Sequence, residues 1–167
     1  MADARVAHGG AHGLPPVLPP RARILVLGSF PGVASLAARQ YYAHPRNHFW
    51  PVMGALLGEP LPAMPYDERL ARLAARGIAL WDTIVACERK GSSDQAIRRA
   101  VRAEVSRVRH AAPAIEVVAF NGNTAARAAP RWREAGYATL ALPSTSPAYT
   151  RPLAEKLAAW RALEAWL

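Results

Sequence analysis

Residues 28–50 read GSFPGVASLAARQYYAHPRNHFW, with Tyr41, Tyr42, His44, Asn47, His48, Phe49 and Trp50 falling within ten residues. Aromatic faces beside neutral hydrogen-bonding groups suit a flat heterocycle better than a phosphate. Some of these rings, Phe49 and Trp50 above all, are expected in the core, because large aromatics are mostly buried for packing. Other chemistries lack their parts. Ser29 and Ser144 fall in plausible turns, but no G-x-S-x-G elbow accompanies either. The two lysines, Lys90 and Lys156, stand outside any G-x-x-x-x-G-K-[ST] phosphate loop. His44 and His48 have no third ligand nearby and Cys87 is alone, so no metal and no cofactor are expected.

The elements that must position these residues follow from periodicity. Residues 23–27 form an apolar run that reads as a buried strand. Gly28 and Gly32 bracket Pro31 in the turn that follows, where a missing Cβ lets a ligand approach the backbone. Further strands are expected over 78–81, 115–120 and 137–142, a loop over 87–93, and helices over 47–57, 66–76, 94–111, 124–129 and 151–167. In the helix expected at 94–111, Ile97, Val101, Val105 and Val108 recur at helical spacing, which leaves Arg98, Arg99, Arg102, Arg107 and Arg109 on a solvated face. Four short buried strands alternating with helices argue an α/β fold whose mainly parallel sheet is covered on both faces. All four strands then open at one edge. Gly28, Ser29, Phe30, residues 42–47, Asp82, Asn121 and residues 144–146 converge in one crevice there.

A chain of 167 residues, 51% hydrophobic, can bury a core as one domain, placed at residues 21–167. Residues 1–20 are rich in Gly, Pro and Ala and lack the apolar centre of a signal peptide, so a disordered tail is expected. His8 and His12 within it could pair on a metal only in a helix, which Gly9, Gly10 and Gly13 oppose. Lys and Arg number 21 against 12 Asp and Glu, a net charge of +9 that favours a polyanionic partner. No apolar stretch reaches membrane-spanning length, and the lone Cys87 fits a reducing cytoplasm, nucleoid-associated in a prokaryote.

The pattern G-S-F-P-G followed by Y-Y-A-H-P-R-N-H-F-W resembles the uracil-DNA glycosylase superfamily, and most closely its deoxyinosine (hypoxanthine) DNA glycosylase branch. GIALWD, GSSD, AFNG and LPSTSPA match downstream in the same order. The resemblance implies a three-layer α/β/α fold with a central four-stranded sheet, and a monomeric enzyme acting on DNA. Its reaction is hydrolysis of the N-glycosidic bond of a deaminated base, hypoxanthine foremost. Such an enzyme holds a water, stabilises the departing base and keeps that base out of the stack. Asn47 is then expected to position the water and His44 to stabilise the leaving base. Tyr42 offers a stacking face, and Asp82 reads the base edge. Gly28, Ser29, Phe30 and Asn121 complete the base site, while Ser144, Thr145, Ser146 and Pro147 form the loop that enters DNA. Two departures stand out. Phe30 occupies a position where many members carry Asn or Asp, which speaks against strong uracil excision, and Leu142 stands where relatives often carry His or Asn. No lysine is expected in the pocket loops, so the enzyme reads as monofunctional. The alternatives are a mismatch-specific uracil or thymine glycosylase and a catalytically silent nucleic-acid-binding module.

Overall fold

A computed structural model describes residues 10–167. In chain order it contains β1 (Gly10–His12), β2 (Ile24–Gly28), α1 (Val33–Ala38), α2 (Phe49–Leu57), α3 (Tyr66–Ala75), β3 (Ile78–Asp82) and β4 (Ile84–Glu88). Then follow β5 (Arg98–Arg102), α4 (Val105–Ala111), β6 (Val117–Asn121), α5 (Asn123–Ala126), α6 (Ala129–Glu134), β7 (Ala138–Leu142) and α7 (Leu153–Trp160). The central sheet has the order β3-β2-β6-β7, with every pairing parallel. Strands β2, β3 and β6 are buried at every position, as their unbroken apolar runs require for strands covered on both faces. Side chains alternate between the faces. Ile24, Val26, Leu80 and Val117 pack with Phe49, Met53, Leu73 and Trp160 from α2, α3 and α7. Leu25, Leu27, Trp81 and Phe120 pack with Val108, Ala125 and Trp132 from α4, α5 and α6. The three-layer α/β/α arrangement therefore stands as the family resemblance implied, and its register sets Gly28 directly beside Asp82 at the carboxyl edge.

Several boundaries differ from expectation. The long helix expected at 94–111 is a short 3-10 turn, then β5, then α4. Apolar residues at helical spacing coincide here with two separate elements. Ile97 and Val101 are half-buried around β5, whereas Val108 anchors α4. Antiparallel pairing of β5 with β4, together with the Ala103 N–H donated to Thr83 O, holds the segment extended. Local helical pattern yields to tertiary pairing. The expected loop at 87–93 accordingly begins inside β4. With β1 on its other side, β4 is the middle strand of a second, three-stranded antiparallel sheet that the sequence did not reveal.

Residues 10–20 are not a free tail either. β1 pairs with β4, and Val17 exchanges both backbone hydrogen bonds with Leu80. Residues 1–9 of the expected tail, His8 included, lie outside the described residues. Elsewhere α2 starts at Phe49 rather than Asn47, the helix expected at 124–129 is divided into α5 and α6, and the last helix tightens to 3-10 geometry from Arg161.

Candidate active site

At the carboxyl edge the chain brings Gly28, Asp82 and Tyr42 together. A Cβ on Gly28 would lie 2.5 Å from Asp82 Oδ1 and 3.2 Å from the Tyr42 hydroxyl, so only glycine lets both polar groups close over the end of β2. Tyr42 reaches this point from a left-handed backbone (φ 56°), a conformation that costs a non-glycine residue about 1–2 kcal/mol. One of its faces is already stacked on Phe49, at 4.0 Å between ring centroids and 26° between planes. Only the other face is left for a base. Phe49 and Trp50 are core, as expected, and so is Tyr41, whose hydroxyl donates to Pro15 O at 2.9 Å.

Asp82 is 5% exposed, and its Oδ2 is buried without a hydrogen-bond partner. Burial first, then the nearby Asp94 carboxylate, pushes its carboxyl up to about 7, against the opposing pull of the Arg89 guanidinium. Burial and the Asp82 charge likewise raise Tyr42 far above its ordinary range, with the Asn121 amide a smaller opposing influence. The Tyr42 hydroxyl also lacks a partner.

The other expected residues divide into braces and loop positions. Asn121 donates from Nδ2 to Thr145 Oγ1 and accepts at Oδ1 from Thr145 N–H, both at 2.9 Å, so its amide locks the 143–147 loop to β6. Thr145 is fully buried and therefore faces the protein, not DNA. Ser144 Oγ accepts from Ser146 N–H, and Ser146 and Pro147 are half-buried. Asn47 Oδ1 accepts from Phe49 N–H at 2.9 Å, one of the donors left free at the start of α2. His44 Nδ1 accepts from Arg46 N–H at 3.1 Å, which leaves Nε2 to carry the ring proton. Ser29 donates to Asp94 Oδ1 at 2.7 Å, and Phe30 is covered by Arg89, whose guanidinium lies 5.0 Å from the ring centroid.

Four participants were missed in the sequence. Arg89 donates to Pro31 O at 2.5 Å, and Asp94 holds Ser29; the matched GSSD fragment contained Asp94 but gave it no role. His48 donates its N–H to Thr145 O, and its Nδ1 is buried without a partner. Burial, and then the Lys156 charge, lowers its pKa. Lys156 corrects the expectation that no lysine stands at these loops. From α7 its fully buried side chain donates to Ser146 O at 3.3 Å, and desolvation lowers its pKa. Its only signal was a lysine among apolar residues on a helix that must cover the sheet.

Among the described residues no group of three His, Cys, Asp or Glu could hold a metal ion, and no helix is long and apolar enough to cross a membrane. A cavity of about 290 Å³ between residues 12–16 and the Trp81, Val85 and Arg107 side chains contains none of these site residues.

Comparison with known proteins gives concordant matches. The family model of the Uracil DNA glycosylase superfamily matches residues 15–166. A hypoxanthine DNA glycosylase from Methanosarcina barkeri is 38% identical over 148 residues, covering 89% of this chain and 94% of that protein. One from Methanosarcina acetivorans is 36% identical over 151 residues, covering 90% and 96%. The solution NMR structure of a candidate uracil DNA glycosylase from Methanosarcina acetivorans superposes with a TM-score of 0.81 at 36% identity, covering 93% of this chain and 99% of that one.

Proposed function

The chain belongs to the uracil DNA glycosylase superfamily, and on that premise we propose that it excises hypoxanthine from DNA by hydrolysing the N-glycosidic bond of deoxyinosine. The observation that carries this reading is where the unsatisfied groups stand. Among the described residues five buried side-chain atoms lack a hydrogen-bond partner, and four of them, on Tyr42, His48, Asp82 and Arg89, belong to segments bordering the carboxyl edge of the sheet. Buried polar atoms normally find partners, so such a concentration marks a place built for a ligand's own donors and acceptors.

Each residue takes a role that its chemistry permits. Asp82 in its ionised form, which prevails above about pH 7, accepts N1–H from hypoxanthine and repels the N1 lone pair of adenine. Tyr42 supports the extruded base on its free face, worth about 1–3 kcal/mol in stacking. Asn47 holds the attacking water through Nδ2 and the remaining lone pair of Oδ1; an amide cannot take the proton, so this is positioning. His44 offers Nε2–H to the departing base. Gly28 leaves room for these groups, and Asn121 fixes the loop beside them through Thr145. The folded unit comprises one domain and works as a monomer on DNA inside the cell.

The test is single-turnover cleavage of duplexes carrying hypoxanthine, xanthine, uracil or a thymine mismatch, read as alkali-labile sites. Hypoxanthine should be excised fastest. Excision confined to uracil or the thymine mismatch would replace this assignment, and binding without any excision would reduce the protein to a nucleic-acid-binding module.

A further inference from the structure

Three of the five arginines that read in the sequence as a solvated helix face, Arg98, Arg99 and Arg102, lie on β5, the open edge strand of the second sheet. Arg98, Arg99 and Arg102 are exposed, and the Arg99 side chain keeps 75% of its accessible surface despite a Glu88 oxygen 3.7 Å away. Lys90 lies exposed in the turn between β4 and β5. Of the nearby acids, Asp94 is engaged by Ser29, and Glu88 makes only that long exposed pair, which offsets little charge.

The hairpin is fixed to the candidate site. Ser29 Oγ donates to Asp94, Val33 N–H donates to Ser92 Oγ at 2.8 Å, Arg89 donates to Pro31 O, and Ile84 N–H donates to Ser29 O at 3.0 Å. Three of the four tethers end on the loop that leaves β2 and the fourth on Val33, the first residue of α1. The β4–β5 pairing contains register shifts, and Arg99 sits in a left-handed backbone (φ 52°). Such irregularities re-aim side chains and gather beside functional sites. Arg98 is pre-set as well, its Nη1 donating to Gln95 O and Ile97 O.

We infer that the β4–β5 hairpin is a clamp for the DNA backbone, in which Arg98, Arg99 and Arg102 neutralise phosphates flanking the damaged nucleotide. This rests on the reading of the chain as a DNA glycosylase. A bare sheet edge can also carry charge merely to block strand addition. The two roles part in salt dependence, because only phosphate contacts release counterions.

The experiment compares wild type with the Arg98→Gln/Arg99→Gln/Arg102→Gln variant on an inosine duplex. A second variant, Arg72→Gln/Arg133→Gln/Arg161→Gln, removes equal charge from exposed positions on other elements. Each phosphate contact contributes about 0.9 to the slope of log affinity against log salt. Loss of three contacts should reduce the slope by between about 2 and 3, so raising salt from about 50 to about 200 mM should weaken wild type roughly 15-fold to 60-fold more than the hairpin variant. The single-turnover rate at saturating protein should stay within about twofold of wild type, since the clamp binds DNA without touching the reacting atoms. An unchanged slope, an equal slope change in the second variant, or a lost saturating rate would overturn the clamp. If wild type excises no hypoxanthine, the proposed activity fails; if it does and the hairpin variant keeps the wild-type slope, the clamp alone fails.

Discussion

Replacing Asp82 by Asn should stabilise the folded protein above neutral pH while impairing its selectivity, and the stability effect can be sized from the structure. Burial and Asp94 raise the Asp82 carboxyl from its ordinary 3.8 to about 7. Between those pH values the folded chain keeps a proton that the unfolded chain has lost. The unfolded state thus binds fewer protons, so stability falls as pH rises through that window and stays reduced above it. Roughly three pH decades correspond to about 4 kcal/mol at most, because water entry and loop relaxation lessen the penalty of burying charge. For a chain of this size 1 kcal/mol moves Tm by about 2–4 °C, so the upper bound is about 8–16 °C. Asn does not titrate and has nearly the same shape. Thermal unfolding from pH 4 to pH 8 should therefore show the two proteins converging in acid and the Asn variant pulling ahead through neutrality, with other titrations cancelling in the difference. In the same variant hypoxanthine excision should fall and discrimination against adenine relax, because the amide both donates and accepts. Parallel stability curves across that range, or unchanged rates on hypoxanthine and uracil, would refute the reasoning.

Asn47→Ala should cut hypoxanthine excision below about a tenth of wild type, at least ~1.4 kcal/mol of barrier, while DNA binding stays near normal; single-turnover rates and gel shifts check it. Asn121→Ala leaves two buried groups of Thr145 unpaired and should cost about 1–3 kcal/mol for each. Amide hydrogen exchange at Thr145 and Ser146 should rise more than at Leu25 or Val26, and equal increases throughout would refute the brace. The loop residues Ser146, Pro147 and Ala148 are small and Tyr149 is 41% exposed, so no large apolar wedge replaces the extruded base before Tyr149. Excision should then be faster from single strands or mismatched sites than from inosine paired with cytosine, and equal rates would count against it.

What the sequence could disclose follows from how local each signal is. Strands β2, β3 and β6 are buried on both faces, so their apolar runs carry the information in the segment itself. Gly28, Asp82 and Asn121 could be placed at one edge because parallel strands share their polarity. The β4–β5 sheet was hidden because IVACE and RRAVR have no strict alternation, and the segment around β5 coincides with helical spacing. Its pairing depends on partners that are remote or out of simple register, including β1 far up the chain. Residue roles were hidden for a related reason. Asn121 reads as a free amide until the loop that ends its search for partners is known, and Lys156 reads as a solvated helix residue until α7 is seen to bury it against Ser146.

The polar groups of the carboxyl edge fall into two sets, and the division is informative about mechanism. Asn121 holds Thr145, Lys156 holds Ser146 O, and Asn47 Oδ1 holds the Phe49 N–H. These bonds fix loop positions before any substrate arrives, as positioning catalysis requires. Tyr42 Oη, His48 Nδ1, Asp82 Oδ2 and Arg89 Nη1 remain unpaired. Each such atom costs about 1–3 kcal/mol when buried, and a fold selected for stability alone would have satisfied them. A base that brings N1–H to Asp82 removes part of that cost, whereas adenine, with a lone pair there, leaves it in place. Discrimination then comes from a penalty the empty protein already bears, which is how a site built to meet a hydrogen-bonding group rejects a substrate that lacks it.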